Sequence, residues 1–216
     1  MNRFAASLLA IGAFALVTGA QAQSHWGGLI GVNRTTIDLW FEDPFTDISP
    51  RTTIAIGGVL QYRLSGRLAL QFQPMYLQKG VKRSYEDEVA GHVEFVSKLS
   101  YLELPALFKY SLLSKGAIRP FVLAGPAAGT LLSSKYESKV AGETFVTDDT
   151  DGRETLDLGI VFGGGLSIVL GNKEVFFEGR YDYGLSKLEH NFEGPGGSHN
   201  RALQFIAGIV FARGKK

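Results

Sequence analysis

Ser186, His190, Ser198 and His199 fall in one stretch near the end of the chain, and a serine beside a histidine is the beginning of a nucleophile-and-base pair. No carboxylate stands at a spacing that would orient either histidine, and Gly194-Pro195-Gly196-Gly197 interrupts the stretch. Lipid-modifying chemistry at an outer rim is therefore kept as the alternative reading, and no enzymatic activity is expected. The segment "TDDTDGRE" (147–154) echoes a calcium loop through Asp149, Asp151 and Gly152. Thr147 stands where the first aspartate belongs and Leu158 where the bidentate glutamate belongs, so a solvated loop tip is expected. Gly163-Gly164-Gly165 lacks the strand-turn-helix setting and the Lys-Ser/Thr of a phosphate cradle. Asn33-Arg34-Thr35 matches a glycosylation sequon but lies in an expected strand, and His25 and His92 stand in no telling pattern. Cysteine is absent, which removes disulfides and thiolate metal sites. No cofactor and no metal site is expected.

The remaining charges follow a different order. In "EVFFEGRYDYGL" (174–185), Glu174, Phe176, Glu178, Arg180 and Asp182 share one parity, while Val175, Phe177, Tyr181, Tyr183 and Leu185 share the other. An extended strand sends those sets to opposite faces. Across the chain the polar parity collects Arg63, Lys79, Lys109, Arg119 and Arg180 against Glu103, Asp157, Glu174, Glu178 and Asp182. The signs nearly cancel. Lys+Arg is 22 and Asp+Glu is 21, a formal net charge of +1, without the basic excess of a nucleic-acid binder.

The elements that must position these residues read as eight strands, near 25–37, 53–64, 67–80, 95–111, 117–133, 155–170, 174–186 and 201–212. No amphipathic helix periodicity appears after the first residues. Those first residues, "MNRFAASLLAIGAFALVTGAQA", carry Arg3, an apolar run from Phe4 to about Val17 and Ala20-Gln21-Ala22. That is the pattern of a cleaved signal peptide over 1–22, leaving 23–216 as one barrel domain.

Connections alternate between long (38–52, 81–94, 134–154, 187–200) and short (65–66, 112–116, 171–173). In an up-and-down meander this puts every long loop at one end and every tight turn, with both termini, at the other. The expected fold is an all-β, eight-stranded antiparallel up-and-down transmembrane β-barrel in the cell outer membrane, with periplasmic termini and long extracellular loops. Large apolar side chains would face lipid, with Tyr62, Tyr76, Tyr110, Tyr181 and Tyr183 as interfacial girdles. Small residues such as Gly159, Gly163, Gly165, Ala55 and Gly57, together with paired charges, would fill the narrow interior. The structural network expected there is Arg63, Glu103, Lys109, Arg119, Asp157, Glu178, Arg180 and Asp182. A soluble lipocalin-type barrel would need the two faces reversed.

The segments "YLELPALFKY" (101–110), "IRPFVLAGPAAGTLLS" (118–133), "DLGIVFGGGLSI" (157–168) and "RYDYGLSKL" (180–188) resemble the PorT-type outer-membrane β-barrel family. The resemblance implies a small outer-membrane barrel with no catalytic residues to carry over. The family's named member is linked to secretion, and a secretion accessory stands as a further alternative; a narrow pore stands beside it, with Glu103, Arg119, Glu178 and Arg180 lining an ion pathway. Outer-membrane chains commonly finish on an aromatic residue read by the assembly machinery. Here Phe211 is followed by Ala-Arg-Gly-Lys-Lys. Expected partners are outer-membrane lipid, the barrel-assembly machinery during insertion, and extracellular or periplasmic proteins at the loops, with no nucleic acid. The expected role is structural or surface-interacting, with the interior plugged.

Overall fold

Alternation of residue type becomes alternation of exposure, because successive side chains of a strand leave opposite faces of the sheet. Along Lys173–Gly184, Glu174, Phe176, Glu178, Arg180 and Asp182 are buried, while Phe177 and Tyr183 are exposed. The computed structural model describes residues 24–38, 47–87, 91–140, 143–148, 150, 154–186 and 198–212. The expected signal peptide lies outside them. The strands are β1 (Ser24–Asp38), β2 (Asp47–Arg63), β3 (Leu68–Phe72), β4 (Met75–Lys79), β5 (Val81–Asp87), β6 (Gly91–Ser111), β7 (Ile118–Val140), β8 (Glu143–Asp148), β9 (Leu156–Leu170), β10 (Lys173–Gly184) and β11 (His199–Ala212). The described residues contain no helix.

All pairings are antiparallel, and the sheet closes on itself because β1 pairs β2 on one side and β11 on the other. β3, β4 and β5 share one position between β2 and β6. β8 stands off the ring, paired with the upper part of β7. Among the described residues the sheet thus has 11 strands, and those other than β8 fill the eight positions of the ring. The segments 64–67, 112–117 and 171–172 make the tight turns, and His25 and Ala212 pair beside them.

The expected long connections differ. Much of 38–52, 81–94 and 134–154 is strand: β2 starts at Asp47, β5 and β6 pair through most of 81–94, and β7 runs to Val140 before β8 returns. Charged residues give these stretches the look of loops. Their interleaved Val81, Tyr85, Val93, Phe95 and Val96 suit a pleated surface. Tyr85 stacks on Phe95 at 6.0 Å, and Lys82 with Glu94 and Lys98 with Glu137 pair across strands. The hairpins therefore continue past the ring.

Between β4 and β5 the ladder is interrupted at Gly80, whose φ is +139°. The carbonyls freed there are met by side chains, as buried backbone groups must be. Gln78 O accepts from Asn33 Nδ2 at 2.8 Å and from Thr53 Oγ1 at 2.6 Å, and Gly80 O accepts from Thr35 Oγ1 at 2.8 Å. An added Cβ at Gly80 would stand 3.0 Å from the carbonyl carbon of Ser97. Gly80→Ala is expected to cost at least about 1–3 kcal/mol, read as a lower temperature for loss of the compact gel band.

The interior is more apolar than small residues and charges alone. Leu77, Leu107, Val161 and Phe176 are fully buried inside it. A ring of eight is just wide enough for side chains to fill, and these residues pack around the charges. Glycines give room at particular points. A Cβ at Gly163 would stand 2.7 Å from Arg180 Cα, and one at Gly165 would stand 2.8 Å from Phe121 Cζ. Outside, Trp26, Ile30, Ile54, Ile56, Phe162 and Phe205 are exposed.

Candidate functional site

The interior charges fall into layers set by position along β10. Nearest the long-loop end, Lys79 of β4 reaches across the ring. Its Nζ lies 2.8 Å from Glu103 Oε2 of β6, 3.2 Å from Asp157 Oδ2 of β9 and 2.7 Å from Asp182 Oδ2 of β10. All four side chains are nearly inaccessible, at 5% or less. Asn200 Nδ2 of β11 donates to Asp157 Oδ2 at 2.9 Å. The ammonium also sits 5.5 Å from the Tyr101 ring centroid, where the ring quadrupole favours a cation.

The next layer centres on Arg180. Its guanidinium donates to Gln204 Oε1 and Gln73 Oε1, approaches Glu178 Oε1 at 3.3 Å, and has Met75 Sδ 3.2 Å from Nη2. Gln73 Nε2 donates to the same Glu178 oxygen at 3.2 Å. At the turn end, Lys109 Nζ pairs with Glu174 Oε1 at 2.8 Å, donates to Ser167 Oγ at 3.0 Å and lies 4.2 Å from the Phe121 ring centroid. Arg63 reaches Glu174 Oε2 at 3.7 Å.

The structure therefore gathers Glu103, Asp157 and Asp182 around Lys79, joins Glu178 to Arg180, and brings Lys109 and Arg63 to Glu174. Arg119 stands apart from these pairs. It is the second residue of β7, where the ring ends, and its Nε donates to Gly116 O at 3.0 Å. Lys79 and Glu174, which share the inward parity, are not in the expected network, and the neutral Gln73, Gln204, Asn200 and Met75 escape a pattern read from charge. One signal was present in sequence: Gln71 and Gln73 share the parity of Lys79, and Gln71 Nε2 donates to buried Gln61 Oε1 at 2.8 Å.

This arrangement ties walls together. Donors and acceptors from β4, β6, β9, β10 and β11 meet inside the ring, and among the described residues no group of carboxylates and histidines is set to hold a metal ion. The other sequence candidates are placed differently. Ser186 Oγ accepts from Leu158 N at 2.9 Å, and His199 begins β11 opposite Asp38. Ser198 is buried, and His190 lies outside the described residues. Asn33 of the sequon is fully buried. At the calcium-like segment, Asp148 accepts from Thr150 N at 3.0 Å and Thr150 Oγ1 at 2.7 Å, which holds its carboxyl below the usual range. Asp149, Asp151 and Gly152 lie outside the described residues.

A closed antiparallel ring that is apolar outside and ion-paired inside defines a barrel of the outer-membrane class. The chain belongs to the outer membrane protein beta-barrel domain family, whose model matches residues 20–189. No curated protein matches it. Among solved structures it is similar to Neisserial surface protein A at 13% identity and a TM-score of 0.52, covering 90% of this chain and 100% of that one. It is similar to the outer membrane protein OprG from Pseudomonas aeruginosa at 12% identity and a TM-score of 0.50, covering 91% and 99%. The outer membrane protease OmpT from Escherichia coli matches at 12% identity and a TM-score of 0.41, covering 89% and 96%, which is too loose to bear on activity. These likenesses concern the fold. The protein is an outer-membrane β-barrel protein located in the outer membrane.

Proposed function

We propose that the chain is an eight-stranded transmembrane barrel of PorT type whose interior is a structural plug and whose working surface is the set of hairpins and loops beyond it. The tight turns and both termini face the periplasm, and the leader over 1–22 is removed on export. The observation that carries this reading is Lys79, whose ammonium meets carboxylates from three other strands. Direct contacts across a ring this narrow leave side chains where a conducting path would run. Interior groups serve the wall, so contact with surface partners falls to the hairpin ends β5–β6 and β7–β8. β8 is exposed along its whole length, as a contact element would be. The protein is read as non-catalytic.

Single-channel recording in planar bilayers tests the plug. Folded protein inserted at known density is expected to give no stable conductance. Lys79→Ala and Arg180→Ala, which shorten the crossing side chains, are expected to show openings where the intact protein shows none. A steady unitary conductance from the intact protein would overturn the plug in favour of a narrow pore.

A further inference from the structure

The two ends of the ring differ in charge. Arg63, Arg67, Lys109, Lys115, Arg119 and Lys173 stand at the tight-turn end, where Glu174 is the one carboxylate among the described residues. Glu174 is occupied by Lys109 and Arg63. Among the described residues no carboxylate lies within ion-pair distance of Arg67, Lys115, Arg119 or Lys173. Arg67, Lys115 and Lys173 are exposed at three different turns, so the free cations are spread around the rim. Beyond Ala212 the sequence adds Arg213, Lys215 and Lys216. With a formal net charge of only +1 for the chain, this concentration is a property of one end.

Beside these cations the rim is apolar. Leu112 and Leu113 are about half exposed, at 48% and 50%, in the turn that carries Lys115. Leu64 is exposed next to the Arg67 turn, and Leu170 next to Lys173. Lys173 Nζ lies 5.7 Å from the Phe211 ring centroid, and Trp26 packs on Phe211 at 5.8 Å. Basic residues beside exposed leucines, with an aromatic pair beneath Lys173, match the boundary where lipid phosphates give way to acyl chains. An acidic soluble protein would use the cations but leave the leucines without a role.

We infer that the tight-turn end is a binding surface for anionic phospholipid headgroups of the leaflet it meets. Arg67, Lys115 and Lys173 contact the headgroup phosphates, and Leu64, Leu112 and Leu113 sit at the acyl boundary. Clustered basic residues at a membrane surface attract anionic lipid and lose that attraction with salt. The inference rests on the transmembrane reading proposed above, which fixes the depth of the turns.

The test uses the full mature chain refolded into nanodiscs of mixed phosphatidylcholine and phosphatidylglycerol, then extracted gently for mass spectrometry of the lipids retained. The compact, boiling-sensitive gel band is recorded in parallel. The protein is expected to retain phosphatidylglycerol preferentially. Arg67→Gln/Lys115→Gln/Lys173→Gln is expected to reduce that preference by at least about tenfold, one basic residue at an anionic surface being worth about fivefold, while the compact band persists. Equal retention of both lipids by the intact protein, or an undiminished preference in the triple variant, would overturn the inference with the barrel intact. Binding of polyglutamate by the intact protein with no lipid preference would reassign the rim to an acidic protein partner. Absence of the compact band from the intact protein would sink the transmembrane reading and this inference with it.

Discussion

Lys79→Met is expected to destabilise the folded barrel by about 3–5 kcal/mol, the cost of removing one partner from a buried ion pair. The substitution keeps most of the side-chain volume, so a cavity is not the cause. It leaves Glu103, Asp157 and Asp182 facing one another without the ammonium that lies within 3.2 Å of all three. Among the described residues no donor reaches Glu103 Oε1 or Asp157 Oδ1, so the network has little else to fall back on. Asn200 supports Asp157 alone. The cost arises from stranded charge, not from a lost attraction that was large in itself, because replacing all the members of a buried ionic group with neutral ones is often close to neutral. Lys79→Met/Glu103→Gln/Asp182→Asn, which leaves only Asp157 charged beside its Asn200 donor, is therefore expected to recover more than half of the loss. Urea titration of the compact gel band in detergent measures both. A Lys79→Met protein within about 1 kcal/mol of the intact one, below the range for a broken buried pair, would show that the network is not what holds the walls together.

The sequence made the two faces legible because burial in a closed antiparallel sheet follows period two. Glu178, Arg180 and Asp182 lie on the inner face together because they sit two residues apart, and Phe177 and Tyr183 lie on the outer face for the same reason. Partners across the ring were less legible. Parity states that Lys79 and Glu103 both point inward, but their height is set by register, and Met75 pairs with Glu103 while Lys79 pairs with Leu99. The approach of Lys79 to Asp157 and Asp182 spans strands far apart in sequence, which no local pattern encodes. Arg119 shows the opposite failure: its parity is inward, but it stands where the ring ends and turns to Gly116 O. The interruption at Gly80 was hidden as well, since polar Asn33, Thr35 and Thr53 read as ordinary strand residues until the carbonyls they satisfy are seen. The hairpin extensions look like loops by polarity because their charges outweigh their β-branched and aromatic residues.

The outer face carries the second large effect. Phe177→Arg is expected to cost about 2–4 kcal/mol in lipid, the penalty for arginine near the midplane of a barrel wall. Phe177 is 52% exposed, pairs in register with Leu166 and Ala207, and lines a shallow apolar groove with Ile30, Ile54, Leu166 and Phe205. Its side chain leaves the outer face of β10, opposite to Glu178 and Arg180, so steric disruption of the network is not the cause. Leu170 lies on the same outer face, at the tight turn and next to exposed Lys173. Leu170→Arg is expected to cost only about 0–1 kcal/mol, since the penalty falls towards the interface. The contrast between the two variants carries the test. Two arginines on one face of one barrel meet different costs only when the surrounding medium changes with depth. Equal stabilities for Phe177→Arg and Leu170→Arg, measured by urea titration in phospholipid vesicles, would mean that water reaches the middle of the outer wall, and the outward assignment of the apolar face would fail.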